Sequence, residues 1–454
     1  MTERAPGEPG ARRRDWGYGI RLAWILLAGF LLRLAIDVWI PTQPVSDFLG
    51  YFRRAESLAR SGRDEIRPGI PEASHPPAYP IVLAAALRAA PPEKALLAAK
   101  AANSALALLA AAFGAILARG LWGQAAGLWT AALLSFFPRS LLMSDLIASE
   151  NLFTPLLLLF LLLAVRRWIS VPSLGPAAAA GATIGLLTLT RSVAYLLPLV
   201  WLAGALAGRE RSRRIAVELL VLLAVEHAVL LPWGIHNARA IGRFTFLSTV
   251  GGVGLFIGNN PRATGDWYEW AEDLERLRPG VGARGALAVD DAAREEAWRW
   301  IRANPGRAAA LYLRKLRIIS TDDGFAAGLA IFAEQISPPS PPADVLPGAH
   351  PLKSHQRSVR LGLRVAGLLL ALAALAGFLV LVGRARAGSI PDRALAAGFA
   401  AAALYVPIVS AAIAVNGRYR WPSEDVILPL AGMWLARMTS SSGAGGTRRE
   451  RISR

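Results

Sequence analysis

The sequence predicts an all-α polytopic membrane protein: about ten transmembrane helices, interfacial or re-entrant helices beside them, and an extracytoplasmic α/β loop region. Three observations carry this expectation. Of the 454 residues, 54% are hydrophobic. The apolar residues gather into runs of roughly the 20 residues that a helix needs to cross a bilayer, most plainly Ile20 to Ile40, Leu361 to Val382 and Leu395 to Val415. Basic clusters flank these runs, as they do where charge sets topology.

The opening, MTERAPGEPGARRRDWGYGIR, is too polar for a cleavable signal with a central apolar region, so the first apolar run is expected to stay as a helix. Crossings are predicted near 19–41, 94–118, 123–142, 151–168, 175–190, 193–208, 215–233, 361–383, 392–414 and 424–438. Arg12–Arg14, Arg119, Arg166–Arg167, Arg209–Arg214, Arg384–Arg393 and the Arg448–Arg454 tail then share one side, which should be cytoplasmic along with both termini. The expected organisation is a tail (1–18), a transmembrane module (19–233), a large outer loop region (234–360), C-terminal transmembrane helices (361–438) and a basic tail (439–454). The module carries a first outer loop at 42–93 and a second at 143–150.

Within the first loop, DFLGYFRRAESLARS places Phe48, Tyr51, Phe52, Ala55 and Leu58 at helical spacing, an amphipathic helix suited to the interface. The segment His75–Ala90, HPPAYPIVLAAALRAA, is apolar but short and bracketed by prolines. It is expected to be a shallow or re-entrant helix, because a full crossing would move every later basic cluster outside. In the large loop, Arg243–Phe256 is rich in β-branched and aromatic residues and runs into the turn-rich GNNPRATGDW. Asp290–Ser320 should form two amphipathic helices broken at ANPGR, and Ser337–Pro347 a proline-rich connector. Gly181 and Gly185 form a GxxxG pair, whose ordinary meaning is close helix packing.

Fifty Lys+Arg against 32 Asp+Glu give a net charge of +18. In a soluble protein that balance would suggest nucleic acid; here topology explains it, and no nucleic-acid partner is expected. The chain has no cysteine, which excludes disulfides, thiolate metal sites and cysteine nucleophiles. No phosphate-loop or dinucleotide glycine pattern occurs, which argues against a nucleotide-bound substrate.

Acidic residues just outside a crossing are the most informative chemical signal. Asp47 opens the first outer loop, and Asp145 and Glu150 sit in the tight second one. A carboxylate there can take a proton from an attacking hydroxyl or hold a divalent ion. The bland alternative is a helix cap, evenly weighted for Asp47 and slightly favoured for Glu150. Arginines on the outer face are the second signal: Arg191 in LTLTRSV, and Arg418 and Arg420 in NGRYRWP, lie where the positive-inside pattern does not call for them. A guanidinium there can grip a phosphate in a bidentate manner, against the common alternative of binding headgroups. His75 is placed to bind substrate or orient an acid, though a structural histidine fits equally, and the role of His236 is open. No His/Asp/Glu spacing forms a metal motif, so the only cofactor candidate is a divalent cation, Mg or Mn, at an interfacial acid.

The order of these pieces resembles the GT-C superfamily of membrane glycosyltransferases, in the branch of protein O-mannosyltransferases, lipid A aminoarabinose transferases and RgtA/B/C/D-like glycosyltransferases. The matching pieces are SDFLGYFRRAESLARSG followed by HPPAYPIVLA, LIASENLFTPLLLL, GLLTLTRSVAYLLP, PWGIHNARAIGRFTFLSTVGG with GNNPRATG, and GRYRWP, spread over residues 20–430. The resemblance implies a sugar donor linked to a polyprenyl phosphate, a lipid, glycan or protein acceptor, inversion at the anomeric centre, and an extracytoplasmic site in a bacterial cytoplasmic membrane. It also implies that Asp47 is the catalytic acid of the first loop and that Glu150, with Asp145 as the alternative, is the acid of the second. Arg191, Arg418 and Tyr419 match the donor-binding positions. Two departures stand out: Asp47 lacks the Asp-Glu pair of the protein mannosyltransferases, and PWGIHNAR has His236 where relatives often carry arginine. The competing expectations are an oligosaccharide polymerase or ligase using a diphosphate-linked donor, and a non-enzymatic lipid-carrier transporter. The transporter should show paired inverted repeats and mid-membrane charges, for which only Arg33 and His227 qualify.

Overall fold

A computed structural model describes residues 9–39, 42–67, 70–169, 173–208, 212–266, 268–321, 356–413, 415 and 417–449. The first half runs α1 (Pro9–Trp39), α2 (Ser46–Ser61), a two-stranded antiparallel ribbon of β1 (Glu65–Arg67) and β2 (Ile70–Pro71), α3 (Ala78–Arg88), α4 (Ala95–Trp122), α5 (Gln124–Phe136), α6 (Pro138–Asp145), α7 (Glu150–Ile169), α8 (Leu174–Thr188) and α9 (Pro198–Ala207). The second half runs α10 (Ser212–Ile241), α11 (Gly251–Gly258), α12 (Ala271–Leu277), α13 (Ala286–Ala303), α14 (Pro305–Thr321), α15 (Gln356–Arg386), α16 (Ile390–Ser410) and α17 (Trp421–Arg449).

Among the described residues, six helices are long and apolar enough to cross a membrane, or seven if the pair α5 and α6, bent by 49°, is one span. Sequence reading expected about ten, and that number is not reached. Helices form at every expected position, but α8 has 15 residues and α9 only 10, and α17 does not meet the apolar criterion. The apolar runs at 175–190 and 193–208 are separated by the irregular segment that carries Arg191, which leaves each of them short.

The bend between α5 and α6 has an identifiable cause. Pro138 has no N–H to give the carbonyl of Leu134, and a proline inside a helical path breaks it. Arg33, six residues before the end of α1, supplies donors there, and Ser140 Oγ also donates to Leu134 O at 3.0 Å. Arg33 Nη2 donates to Leu134 O at 3.0 Å, and its Nη1 donates to Ser135 O at 2.7 Å and Gly29 O at 3.1 Å. This intramembrane charge is therefore accounted for by structure. Gly181 and Gly185 pack α8 directly on α10: a Cβ at Gly181 would strike the Leu222 backbone, and one at Gly185 would meet the Val229 side chain at 2.7 Å. The GxxxG pair thus makes the close helix contact its spacing suggests.

Helix α2 is amphipathic as expected, burying Phe48 and Ala55 while Arg53 and Arg60 stay exposed, and it ends where Gly62 adopts φ 72°. Helix α3 has 11 residues, about 16 Å at 1.5 Å per residue, too short for a hydrocarbon core of about 30 Å. It lies against α2 and α4 through Tyr79, Leu83 and Ala99, consistent with the shallow helix read from its prolines.

The α/β character expected for the outer loop is corrected. Among its described residues the only regular elements are helical, and the ribbon of β1 and β2 belongs to the first loop. Residues 251–258, part of the β-rich stretch, form α11. Its glycines allow contact with α13 so close that a Cβ at Gly252 would strike the carbonyl of Asp290. Phe244 and Phe246 pair edge to face at 5.1 Å and fill the space above Gly234, where a Cβ would lie 2.8 Å from the ring of Phe244. Tertiary packing outweighs β propensity here. The predicted break at ANPGR is present between α13 and α14. The connector at 337–347 lies outside the described residues.

Candidate active site

Separate chain segments meet at a cleft of about 360 Å³. The first turn of α2 brings Asp47, the segment before α3 brings His75, α7 begins with Glu150, and the bend after α8 brings Arg191. Tyr419 closes the cleft from the turn before α17, and Val193, Val406, Val409 and Ile413 give it an apolar wall.

Asp47 is exposed to the cleft and forms no hydrogen bond or ion pair among the described residues. It does not cap α2, whose N-cap position, Val45, has no side-chain cap bond. Glu150 behaves differently. Its carboxylate lies 2.7 Å from Arg191 Nη1, with side-chain exposures of 4% and 20%, and the same Nη1 donates to Ser149 Oγ at 3.1 Å. Burial works against the charge of Arg191, but Glu150, Tyr51 and Tyr419 together outweigh it and raise its pKa above the usual arginine value. The second-loop acid thus holds the arginine in place.

The turn behind Arg191 is fixed from three sides. Ser192 Oγ accepts from Ser248 N at 2.9 Å, and the Tyr405 hydroxyl donates to Val193 O at 2.5 Å while accepting from Leu196 N at 2.9 Å. The first-loop segment is clamped as well. Glu72 accepts from the backbone N–H of His75 at 3.2 Å and from that of Ser74, Thr249 Oγ1 donates to Ala73 O at 3.1 Å, and Ser248 Oγ donates to Ser74 O. Burial holds the His75 imidazole below its usual pKa, against the upward pull of Glu72 and Asp47.

Tyr51 is a site residue that sequence reading assigned only to the apolar face of α2. It stands one turn after Asp47, with its ring edge-on to His75 at 6.2 Å and to Tyr79 at 5.5 Å. Burial raises its phenol pKa, while Arg191 and a hydrogen bond with Ser149 pull it down. The signal was available in the i, i+4 spacing from Asp47, which places both on one helix face. Asp47, Tyr51 and His75 also line a second cavity of about 230 Å³.

The remaining candidates are placed elsewhere. Asp145 is fully buried, 2.8 Å from Lys100 Nζ, and accepts from Thr42 Oγ1 at 2.8 Å; it ties the start of the first loop to α4 and does not line the cleft. His236 stacks on Trp233 at 4.9 Å and hydrogen-bonds the carbonyl of Glu72 at 3.2 Å, bracing the first loop from behind. Arg420 donates to Glu424 at 2.5 Å and to Ser320 O at 2.9 Å, joining α14 to α17. The side chain of Arg418 lies outside the described residues.

The fold that these elements build is similar to that of solved structures of an archaeal oligosaccharyltransferase. The Archaeoglobus fulgidus oligosaccharyltransferase in its apo form superimposes with a TM-score of 0.53 at 18% identity, covering 95% of this chain and 52% of that one. The oligosaccharyltransferase AglB from Archaeoglobus fulgidus, in complex with an inhibitory peptide and a dolichol-phosphate, gives 0.53 at 16% identity over 95% and 52%. This chain therefore spans about half the length of those proteins. ArnT from Cupriavidus metallidurans, bound to undecaprenyl phosphate, gives 0.42 at 16% identity over 94% and 79%. No protein family and no curated protein matches the chain by sequence.

One structure of the Archaeoglobus oligosaccharyltransferase holds Zn and sulfate. The described residues of this chain's cleft do not fit a divalent cation. Glu150 is already neutralised by Arg191, which leaves Asp47 as its one unpaired carboxylate, and no group of three or more metal-ligating side chains occurs among the described residues.

Proposed function

We propose that the protein is an integral membrane glycosyltransferase. It moves a sugar from a polyprenyl-phosphate donor to an acceptor on the extracytoplasmic face of a bacterial cytoplasmic membrane, inverting the anomeric centre. One observation carries the reading: an unpaired carboxylate, Asp47, and a buried-pair guanidinium, Arg191, line one cleft that also has an apolar wall. A lipid-phosphate donor needs that wall for its prenyl end and the guanidinium for its phosphate. The GT-C fold supports the same class of reaction.

In the proposed reaction the acceptor hydroxyl oxygen attacks the anomeric carbon as its proton passes to Asp47. The bond from that carbon to the phosphate oxygen breaks, and the electron pair leaves with the polyprenyl phosphate. Arg191 faces the developing charge, with Tyr419 as a second donor. Positioned base catalysis is worth roughly 10²- to 10⁴-fold, and a charge-assisted donor at the leaving oxygen adds to it. At about 360 Å³ the cleft is at the small end of ligand sites, which favours one sugar over a diphosphate-linked oligosaccharide.

The test is turnover of purified undecaprenyl-phosphate monosaccharides by the full chain in lipid nanodiscs supplied with membrane extract as acceptor source. Release of undecaprenyl phosphate from at least one of them is expected. Absence of release with every sugar tried, while diphosphate-linked oligosaccharides are consumed, would replace this reading with the polymerase or ligase one.

A further inference from the structure

The two cavities that meet at Asp47 differ in chemistry. The first has an apolar wall and the paired Arg191. The second has Leu49 as its only large aliphatic side chain and two guanidinium groups, those of Arg53 and Arg54. Arg54 is buried and locked: its Nε and Nη2 donate to the Asp64 carboxylate at 2.7 and 2.6 Å, and its Nη1 has no hydrogen-bond partner among the described residues. Arg53 is exposed and forms no ion pair among the described residues. Once the Arg54–Asp64 pair cancels, Arg53 is the cavity's remaining guanidinium, lining it together with Asp47 from further along α2. Six positions of helix separate the two, a rise of about 9 Å along the axis at 1.5 Å per residue, which is the scale of one sugar unit with its linkage.

We infer that this second cavity is the acceptor subsite and takes an acceptor whose anionic oxygen group, a phosphate or carboxylate, sits at Arg53 about one sugar unit from the attacking hydroxyl. The acceptor role rests on the proposed transfer reaction; the anion preference does not. A neutral glycan would leave Arg53 unused, and an anion placed nearer Asp47 would meet like charge. The Arg54–Asp64 pair fixes the cavity wall and adds a donor turned away from Asp64.

The experiment uses the full chain in nanodiscs of zwitterionic lipid, with undecaprenyl phosphate in excess to fill the Arg191 side. Binding of glucose 1-phosphate and of methyl glucoside is compared by ligand-observed NMR. Glucose 1-phosphate is expected to bind about tenfold more tightly, the scale of a charge-assisted contact. Arg53→Gln should remove that preference and Arg53→Lys should keep most of it. Equal binding of the two sugars, or a preference that survives Arg53→Gln, would overturn the inference. So would loss of glucose 1-phosphate binding in nanodiscs containing anionic lipid, since the group at Arg53 would then be a headgroup. A preference that holds while no donor lipid is turned over counts against the transfer reading and leaves the anion site standing.

Discussion

Glu150, at the start of α7, and Arg191, in the bend after α8, meet at 2.7 Å in the cleft that also holds Asp47. The pair distinguishes the two acids of the cleft: Glu150 is held by a cation, and Asp47 forms no ion pair among the described residues.

Replacing Glu150 with Gln should leave Arg191 buried without its counter-charge. Breaking a partly buried pair costs on the order of 2–3 kcal/mol, so the melting temperature falls. Turnover should fall by about 10- to 100-fold as the guanidinium loses its orientation. Glu150→Asp should recover part of both. Kinetics and thermal melts of the two variants in nanodiscs check this; full turnover in Glu150→Gln would mean that Arg191 needs no such partner.

Arg33 supports the bend at Pro138. Arg33→Leu should leave the carbonyl of Ser135 without its side-chain donor, while Leu134 O keeps that of Ser140 Oγ, at about 1–3 kcal/mol for an unsatisfied buried group. Turnover per folded molecule should change little. A stable Arg33→Leu protein with lost turnover would point to a functional charge.

The pH response follows from His75. Burial sets its folded pKa below the usual 6.5, so the imidazole is neutral in the native state near pH 7. A depressed value means that the stabilising contribution is fully present above 6.5 and is lost as pH falls through the folded value. Melting temperature should therefore drop on acidification from about pH 7 to about pH 5, and His75→Gln should flatten that slope. An unchanged slope would assign the acid sensitivity to other groups.

How much of this was legible in the sequence depends on what each residue's neighbours are. The amphipathic α2, the break at ANPGR and the packing role of Gly181 and Gly185 are local patterns, and the structure keeps them. Asp47, His75, Glu150, Arg191 and Tyr419 were all singled out by type and position, and all five reach one cleft. Asp145 has the same chemistry and the same loop, yet Lys100 claims it from α4, 45 residues earlier in sequence. No spacing rule reveals such a partner. Arg420 and His236 are likewise taken up by distant backbone carbonyls. The described residues do not confirm ten crossings, because apolar length shows in sequence while the kink at Pro138 and the irregular turn at Arg191 divide that length into shorter helices.

The chain has no native cysteine, so topology can be mapped with single introduced thiols. In right-side-out vesicles, Asp47→Cys and Tyr419→Cys should react with a membrane-impermeant maleimide, while Arg214→Cys should react only after the vesicles are opened. Labelling of positions 47 and 419 from opposite sides would separate the two halves of the site.

The most direct measurement compares the wild type with Asp47→Asn in release of undecaprenyl phosphate from a donor that the wild type uses, alongside donor binding to each. A neutral isostere removes the base and keeps the shape. Turnover should fall by at least about 10²-fold while donor affinity stays within about twofold of wild type. Near-normal turnover in Asp47→Asn would contradict the account, because no other unpaired carboxylate among the described residues of the cleft can take the acceptor's proton.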